Sequence, residues 1–529
     1  MTLERAPARW LRWALPSFYD LFFLVLISIL AFSPMSAGLL RDGDTGWHIR
    51  SGEQILLTHA IPRTDPFSYT RHGEPWYAWE WMYDVVIAAI HHVSGLNGVV
   101  LFTAAVISIT FALLFRFILR RSGNLPVAVF LTLLAAAAAQ VHMLARPHVL
   151  SWLLTVLWVE NLCRFEDGER SALFWLPPLM ALWANVHAGF VMGLALLGVF
   201  AIGSIWNSLT SAGNGDYQKT AHLAVVFAVC LLTTLLTPYG YRLHIHVYQY
   251  LSNSFLMNNI DEFMSPNFHD SVYKYFELFI PLAMAAAAFG RSRLTPTGFL
   301  LLLFSLYAGL YAVRNIPMSA IIMSLVLGPP ITLVISPGSD VSSRTRWLRC
   351  LLDTVHGVSE RLTRLESQFR GHVLAVVVMA ASVGLALNGG RVFSKQLLAA
   401  HFEERAFPVK AAQFIAQRGI RDHLFSSDTW SAYLIYRLYP ATEVYFDDRH
   451  DFYGEAFVKE YGKAILGSRQ WREPLDRYQV KWVLMPVDSP LSSLLRESQD
   501  WRADYDDGMA ILFSRAGACR QSGGASPCR

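Results

Sequence analysis

Two acidic residues stand beside a histidine and an arginine where the first long apolar run of the chain ends. Asp42 and Asp44 lie in the segment "RDGDTGWHIR", which follows the apolar residues 18–40. Two carboxylates this close together can share one metal ion or one proton, and burial raises the pKa of a carboxylate toward that of a useful general base. The alternative is a helix terminus at which Asp44 acts as the capping residue. The spacing therefore indicates a base, a cation site or a helix end.

The composition indicates what must position these residues. Of the 529 residues, 53% are hydrophobic and 16% are charged, whereas about a quarter of a soluble domain is charged. Apolar runs of about 20 residues recur, and this length spans a bilayer. The net charge of +4 indicates no nucleic-acid partner. We predict an α-helical polytopic membrane protein with about eleven transmembrane helices, in the runs 18–40, 95–118, 125–144, 148–163, 172–186, 188–206, 220–238, 273–290, 295–313, 316–335 and 372–388.

The arginine-rich loops give the orientation, because cytoplasmic loops carry an excess of basic residues. With the N-terminus inside, these arginines all fall on the cytoplasmic face: Arg5, Arg9, Arg12, Arg116, Arg120, Arg121, Arg164, Arg170, Arg291, Arg293, Arg344, Arg346, Arg349, Arg361, Arg364 and Arg370. Most other polar clusters then lie at outer helix ends: "ARPH" (145–148), "ANVHAGF" (184–190), "TPYGYRLHIH" (237–246), "IDEFMSPNFHD" (260–270) and "AVRNIP" (312–317). A single outward-facing site built from many helix ends explains this asymmetry.

The chain divides into a membrane part and a C-terminal part. Residues 1–390 form the predicted transmembrane domain, with a long first outer loop at 41–83 that carries a helix on the membrane surface and an aromatic stretch reaching Glu80. Residues 391–515 alternate short β-branched runs with helical patterns, which predicts an extracytoplasmic α/β domain. Residues 516–529 resemble a disordered tail, in which Cys519 and Cys528 can pair in an oxidising compartment. The segment "FDDRHDFYG" (446–454) follows a predicted strand and is either a ligand site or a loop of self-paired charges.

The first span with its acidic pair and the long loop after it resemble the GT-C superfamily of membrane glycosyltransferases, which includes protein O-mannosyltransferases, the aminoarabinose transferase of lipid A and oligosaccharyltransferases. The pattern "DGDTGWHIRSGEQILLTHAIPRTDPFSYT", with "ARPHVLSW", "WANVHAGF" and "DDRHDFYG", is most similar to poorly characterised bacterial members. The resemblance implies transfer of a sugar from a polyprenyl-phosphate donor to an acceptor on the outer face of a bacterial inner membrane, usually with inversion. The acceptor can be a protein, a lipid or a glycan.

The resemblance also implies roles for individual residues. Asp44 matches the acidic residue that acts as general base, and Asp42 is its neighbour. The mannosyltransferases have adjacent acids, whereas these are two apart, so either can be the base, and the pair can instead hold a divalent cation such as Mg²⁺ or Mn²⁺. No other cofactor is expected. Cationic groups must offset charge on the leaving phosphate, and the candidates are Arg314, Arg146 and His148. Candidates for substrate contacts are His48, Glu80, Asn185, His187, Asp261 and Glu262.

These residues can also be explained without a functional role. An arginine at a membrane boundary often extends its side chain to the lipid–water interface, and polar side chains at helix ends often form hydrogen bonds with the local backbone. Two other functions also remain open. A transporter or flippase for a lipid-linked substrate would carry ionisable groups in mid-span and internal repeats, which this sequence lacks. A non-catalytic relative would keep the fold and serve envelope assembly.

Overall fold

The structure is a computed structural model of the chain, and it describes residues 15–210, 217–289, 294–335, 346–366, 369 and 372–516. Several residues used in the sequence predictions lie outside this range: Arg5, Arg9, Arg12, Arg291, Arg293, Arg344, Arg370, Cys519, Cys528 and the tail from 517 onward.

The described residues are mostly helical, and we number their α-helices in chain order. They are α1 Phe18–Phe32, α2 Met35–Gly38, α3 Asp44–Thr58, α4 Trp81–Ser122, α5 Leu125–Ala139, α6 His148–Glu166, α7 Leu176–Val186, α8 Phe190–Thr210, α9 Tyr217–Thr233, α10 Tyr241–Leu251, α11 Ser254–Asn259, α12 Lys274–Glu277, α13 Phe279–Phe289, α14 Pro296–Tyr311, α15 Ile316–Ile335, α16 Arg346–Glu366, α17 His372–Leu387, α18 Val409–Arg418, α19 Asp428–Leu438, α20 His450–Ile465, α21 Arg472–Arg477 and α22 Pro490–Glu497.

Five helical segments of the described chain are long and apolar enough to cross a membrane. They are Trp81–Ser122, Leu125–His142, Phe190–Thr210, Ser271–Phe289 and Val313–Ile335. Shorter apolar helices occupy Phe18–Phe32, Tyr217–Thr233, Pro296–Tyr311 and His372–Leu387. A helix lies in each of the eleven predicted runs, so the helical membrane class is confirmed, whereas the count of eleven crossings stays a prediction.

The first predicted span, 18–40, is shorter than expected. α1 begins with a capping box between Ser17 and Asp20 and ends at Phe32. Ser33 is extended, with φ −113° and ψ 174°, because the proline at 34 disfavours helical backbone in the residue before it. The chain therefore leaves α1 well before Leu40 and reaches the acidic pair through the short helix α2.

The first outer loop contains the predicted helix, α3, and most of the apolar side that was expected on the membrane surface packs inside the protein. Trp47, Ile49 and Ile55 are buried, and Leu56 is partly exposed. α3 packs against the N-terminal part of α4 and against α19. A positive φ of 59° at Gly95 breaks α4, so residues 81–94 form a separate outer segment, and the apolar stretch begins at 95 as the sequence predicts.

The C-terminal segment contains a mixed sheet of four strands, which lie side by side in the order Leu424–Ser426, Trp482–Pro486, Ala510–Arg515 and Trp501–Asp506. The strands are β3 Leu424–Ser426, β4 Trp482–Pro486, β5 Trp501–Asp506 and β6 Ala510–Arg515, and a small hairpin joins β1 Arg391–Val392 to β2 Lys395–Gln396. β3 pairs with β4 in parallel, and the other pairs are antiparallel. Val444 forms parallel bridges both to Leu424 and to Ser68 of the first outer loop. This pairing joins the loop to the sheet, while the division of the chain into separate domains stays a prediction.

Candidate active site

A large cavity collects polar residues from helix ends far apart in the chain. Its volume is about 930 Å³, within the usual range for a small-molecule site. Its lining includes the predicted residues Asp42, Asp44, Glu80, Arg146, His148, His187, Asp261, Glu262 and Arg314, together with Asp428, Asp448, His450 and Asp451 of the C-terminal segment. The cavity therefore lies between the helix ends, the first outer loop and the C-terminal segment.

Close packing of α3 against α19 sets the position of the acidic pair. A Cβ atom at Gly43 would lie 2.5 Å from the carbonyl oxygen of Thr429, so only glycine permits this approach. Asp44 is the first residue of α3, and its backbone N–H donates to Oδ1 of Asp42 at 2.9 Å. The expectation that Asp44 caps the helix is thus wrong: Asp42 accepts the bond, and the Asp44 carboxylate is left to the cavity.

Asp448 of the C-terminal segment joins the acidic pair. Asp42, Asp44 and Asp448 each offer a carboxylate oxygen, and these oxygens lie within 4.8 Å of one another. Asp428, Asp448 and His450 form a second group, whose carboxylate oxygens and ring nitrogen also lie within 4.8 Å of one another. Asp448 therefore belongs to both groups, and we refer to Asp42, Asp44 and Asp448 as the acidic trio.

A buried ion pair holds Asp448 in place. The neighbouring Arg449 is 3% exposed and donates through Nε to Asp447 at 2.7 Å. Its Nη2 lies 2.8 Å from a carboxylate oxygen of Asp65 in the first outer loop. Tyr453 donates its hydroxyl to the same Asp447 carboxylate at 2.9 Å. The "DDR" segment thus combines both interpretations of the sequence, since Asp447 and Arg449 are self-paired while Asp448 lines the cavity.

Arg146 is the cation of the acidic pair. Its Nη1 lies 2.8 Å from Asp42 and 2.9 Å from Glu262, and its Nη2 lies 2.9 Å from Asp44. Burial disfavours the charged guanidinium, but the three carboxylates outweigh burial and raise the pKa of Arg146 well above its ordinary value. Arg146 therefore stays charged, and its charge is already neutralised by protein groups.

Asp44 is the titratable group best suited to accept a proton near neutral pH. Burial is the main cause that raises its pKa to about 7, Arg146 opposes this shift, and Asp42 and Glu262 add to it. The side chain is only 5% exposed. Its Oδ2 pairs with Arg146, whereas its Oδ1 has no hydrogen-bond partner among the described residues. One carboxylate oxygen is thus free to accept a proton.

The pKa values of Asp448 and Glu262 are shifted in opposite directions. Desolvation, followed by repulsion from Asp44 and Asp428, raises the pKa of Asp448 well above its ordinary value. Burial also opposes ionisation of Glu262, but Arg146 and Arg314 outweigh it and hold the pKa of Glu262 well below its ordinary value. Glu262 is therefore a permanent anion, whereas Asp44 and Asp448 are the members of the trio whose raised pKa values allow them to bind a proton.

Arg314 differs from Arg146 in having no carboxylate partner within hydrogen-bond distance among the residues that the structure describes. It lies in the turn between α14 and α15 and is half-buried in the cavity wall. Its guanidinium stacks over the ring of Phe263 at 4.4 Å, and no ion pair or hydrogen bond joins its side chain to another described residue. Such an arginine can bind an anion without first breaking an internal bond.

Glu80 lies at the mouth of a buried histidine network. His48 Nδ1 and Ser51 Oγ each lie 2.7 Å from an oxygen of Asp84, and all three side chains are buried. The other ring nitrogen of His48 lies 3.7 Å from Glu80. Burial and repulsion from Asp84 raise the pKa of Glu80 well above its ordinary value. His48 is fully buried and does not line the cavity, so it supports Glu80 and is not placed to contact a substrate.

His187 and His148 line the cavity beside Glu80. The backbone N–H of Gly189 donates to Nδ1 of His187 at 3.0 Å, and Ser151 lies 2.8 Å from the same nitrogen. Nε2 of His187 therefore carries the proton in the neutral ring and lies 3.6 Å from Glu80. His148 Nε2 lies 2.7 Å from the carbonyl oxygen of His142, which orients its ring.

Asn185, like His48, is a predicted site residue that does not line the cavity. Its side-chain oxygen accepts from Trp81 Nε1 at 2.9 Å, and its amide group donates to the carbonyl oxygens of Ala181 and Leu236. These bonds use the amide within the helix contacts, and Asn185 is absent from the cavity lining. Asp261, by contrast, is exposed at the cavity edge.

Comparison with known proteins finds structures with a similar fold but no relative that is similar in sequence. No family model matches the chain, and no curated protein matches its sequence. Among solved structures, the apo oligosaccharyltransferase of Archaeoglobus fulgidus matches with a TM-score of 0.57 and 9% identity, covering 89% of this chain and 69% of that one.

ArnT from Cupriavidus metallidurans matches over almost the whole length of both chains. The structure bound to undecaprenyl phosphate has a TM-score of 0.52 and 13% identity, with 97% of this chain and 99% of that one covered. The apo structure has a TM-score of 0.51 and 14% identity, with 94% and 97% covered. The resemblance to the GT-C superfamily is thus confirmed at the level of the fold: this chain is an integral membrane protein with the fold of GT-C glycosyltransferases.

Proposed function

We propose that this protein is a membrane glycosyltransferase that transfers a sugar from a polyprenyl-phosphate donor to an acceptor on the outer face of a bacterial inner membrane. The observation that carries the proposal is the meeting of the acidic trio with Arg146 and Arg314 in one cavity. The structure of the neighbour ArnT holds undecaprenyl phosphate, which is a polyprenyl phosphate of the kind that the proposed donor would leave behind. The proposed orientation has the N-terminus in the cytoplasm and the C-terminal segment outside, as the arginine distribution predicts.

In the proposed reaction, Asp44 is the general base. The nucleophilic group of the acceptor attacks the anomeric carbon of the sugar as its proton passes to the free Oδ1 of Asp44. The bond between the anomeric carbon and the phosphate oxygen breaks, and its electron pair stays on the polyprenyl phosphate. Attack from the opposite side inverts the anomeric configuration. A base with a pKa of about 7 is half ionised at neutral pH, which is the condition under which a general base works best.

Arg314 is the proposed contact for the donor phosphate. Charge develops on the phosphate as it leaves, and a fixed guanidinium lowers the energy of that state. Within the described residues, no ion pair engages Arg314, which stabilises the Glu262 carboxylate only from a longer distance, whereas Arg146 is already paired with three carboxylates. We therefore give Arg146 the role of holding Asp42 and Asp44, with His148 beside it in the cavity wall. Glu80, His187, Asp261 and Glu262 remain candidates for contacts to the sugar or acceptor.

Binding of a divalent cation is a second proposed role for the acidic trio. Its donors are all carboxylate oxygens, the ligands that Mg²⁺ and Mn²⁺ prefer, and their closeness fits one ion. Asp42, Asp44 and Asp448 would hold it, and it would supply positive charge near the donor phosphate. Asp44 could not then act as base, because a ligated carboxylate does not bind a proton. We favour the base, since both oxygens of Asp42 and Oδ2 of Asp44 already have partners in the chain.

The transporter alternative fits the site less well. An alternating-access protein carries its substrate groups near the middle of the membrane. In this chain the titratable groups of the cavity lie at helix ends and in connecting segments, and several come from the C-terminal segment.

The test is transfer by the purified full-length protein from a panel of polyprenyl-phosphate sugars, followed as release of polyprenyl phosphate. The double variant Asp42→Asn, Asp44→Asn should lose transfer while keeping the elution profile of the wild type in detergent. Asp488→Asn is the matched control, because Asp488 is exposed and does not line the cavity, and it should keep full activity. Transfer retained by the double variant would refute the proposal.

A further inference from the structure

A second cavity lies on the other side of Trp76. Its volume is about 320 Å³, and it is lined by Arg63, Pro75, Trp76, Tyr77, Pro238, Tyr239 and Arg242. Trp76 lines both this cavity and the large one. Neither arginine lines the large cavity, so this second cavity, which we term the arginine pocket, is distinct from the candidate active site.

The two arginines of the pocket have unused hydrogen-bonding capacity. Both are exposed, and neither forms a side-chain ion pair or hydrogen bond with another described residue. Other arginines of the same region are paired: Arg50 with Glu53, Arg71 with Glu74, and Arg449 with Asp65. The two guanidiniums leave ten N–H groups without a protein acceptor, although the chain supplies carboxylates to their neighbours.

Both arginines are carried by well-defined backbone. Arg63 lies in a short antiparallel ladder, in which Thr64 bridges Pro75 and the N–H of Trp76 donates to the carbonyl oxygen of Arg63 at 2.9 Å. Arg242 lies in the first turn of α10. The floor between them is also held in place, because the hydroxyl of Tyr239 accepts from the N–H of Ala78 at 2.8 Å. The pocket thus brings two cations to the edges of a fixed aromatic surface.

The helix that carries Arg242 has an exposed apolar side. Tyr241, Ile245 and Tyr248 follow one another at spacings of four and three, which places them on one face of α10, and they are 64%, 48% and 73% exposed. Leu236, just before the helix, is 67% exposed. A helix with exposed tyrosines and an arginine is typical of the membrane–water interface. We therefore expect the pocket to lie at the level of the lipid headgroups.

We propose that the arginine pocket binds the phosphate group of an anionic membrane lipid. Guanidinium groups bind phosphate through paired charge-assisted hydrogen bonds, and the tetrahedral phosphate can accept such bonds from both sides at once. The exposed face of α10 supplies the contact for the acyl chains. Binding at this site involves no turnover, so the proposal does not depend on the proposed transferase activity.

The test is lipid binding by the full-length protein in phosphatidylcholine nanodiscs. Short-chain phosphatidylglycerol is titrated, and bound lipid is counted by native mass spectrometry, with short-chain phosphatidylcholine as the neutral probe. The double variant Arg63→Gln, Arg242→Gln should bind phosphatidylglycerol about tenfold more weakly or worse, because a tenfold loss is about 1.4 kcal/mol, which is less than two charge-assisted hydrogen bonds contribute. Arg405→Gln, Arg421→Gln is the matched control, because both arginines are exposed and outside the pocket, and it should bind as the wild type does.

Three outcomes would overturn the proposal. Equal affinity of the wild type and the Arg63→Gln, Arg242→Gln variant would show that the pocket does not hold the lipid. An equal loss of lipid affinity in the control variant would show that the effect comes from the overall charge of the protein and not from the pocket. Displacement by inorganic phosphate at concentrations as low as those of phosphatidylglycerol would assign the pocket to a free anion and not to a lipid. The single variant Arg242→Gln repeats the measurement if the double variant does not fold.

Discussion

The protonation of Asp44 near neutral pH is the prediction on which the proposed chemistry rests most directly. Its pKa of about 7 lies above the ordinary range because of burial, and Arg146 at 2.9 Å is the main group that holds the value down. Since the raised pKa belongs to a carboxyl group, the base form is lost as the pH falls through 7. Transfer should decline over the same interval.

The effect of removing Arg146 can be estimated from the geometry. Two unit charges 2.9 Å apart attract each other with about 6 kcal/mol at an effective dielectric constant of 20. The guanidinium is 23% exposed, and solvent screening lowers the attraction, for which we take about 2 kcal/mol at Asp44. Arg146→Gln should therefore move the titration of Asp44 upward by about 1.5 pH units, whereas Arg146→Lys should move it less because the charge is kept.

Infrared difference spectroscopy measures this titration without any substrate. The carbonyl band of a protonated carboxyl group is followed between pH 5 and 9 in the presence of EDTA, and the Asp44→Asn spectrum identifies the contribution of Asp44. The wild type should show a midpoint at about 7, and Arg146→Gln should show a higher one. A midpoint near 4 in the wild type, or one that Arg146→Gln leaves unchanged, would refute the electrostatic reasoning.

Three further outcomes follow from the site. Asp448→Asn should lower kcat/KM by about 10²-fold or more, as expected for loss of a carboxyl group that can exchange a proton with the neighbouring Asp44, and wild-type kinetics in this variant would remove Asp448 from the site. Arg314→Gln should raise the KM for the donor about 10- to 100-fold, with Arg314→Lys intermediate, and a donor-binding assay would reveal an unchanged affinity if the assignment is wrong. Treatment with EDTA should leave transfer unchanged with Asp44 as base, whereas a loss restored by Mn²⁺ would assign the trio to a cation.

Much of the candidate site could be predicted from the sequence because membrane topology limits where polar groups can lie. The arginine asymmetry assigned "DGD", "ARPH" and "AVRNIP" to one face, and the structure brings Asp44, Arg146 and Arg314 into one cavity. The glycines of "DGDTG" carried a further signal. Gly43 and Gly46 permit the close contact with α19, so the motif combines acidic groups with a docking surface.

The role of Asp448 could not be predicted with the same reliability. Its approach to Asp44 depends on the pairing of Val444 with Ser68, a contact between distant segments that no local pattern specifies. The sequence feature that indicated a ligand site was the pair of aspartates after a predicted strand. Such a pair is equally typical of a loop whose acidic and basic side chains pair with each other. The prediction that Asn185 contacts the substrate did not hold for a related reason. An asparagine at a helix end indicates hydrogen bonding, but the sequence does not tell whether its partners are backbone groups or a substrate.

The link between Arg449 and Asp65 explains why a site assembled from two distant segments can hold its geometry. Both side chains are at least 97% buried, and removing one partner of such a pair typically costs about 3–5 kcal/mol because an uncompensated charge stays inside. Asp448 precedes this arginine directly, and the acidic pair lies on the loop that carries Asp65. A displacement of the C-terminal segment would therefore break the ion pair before it separated Asp448 from Asp44. The energetic cost of that break keeps the acidic trio together, which a base of defined pKa and a shared cation site both require.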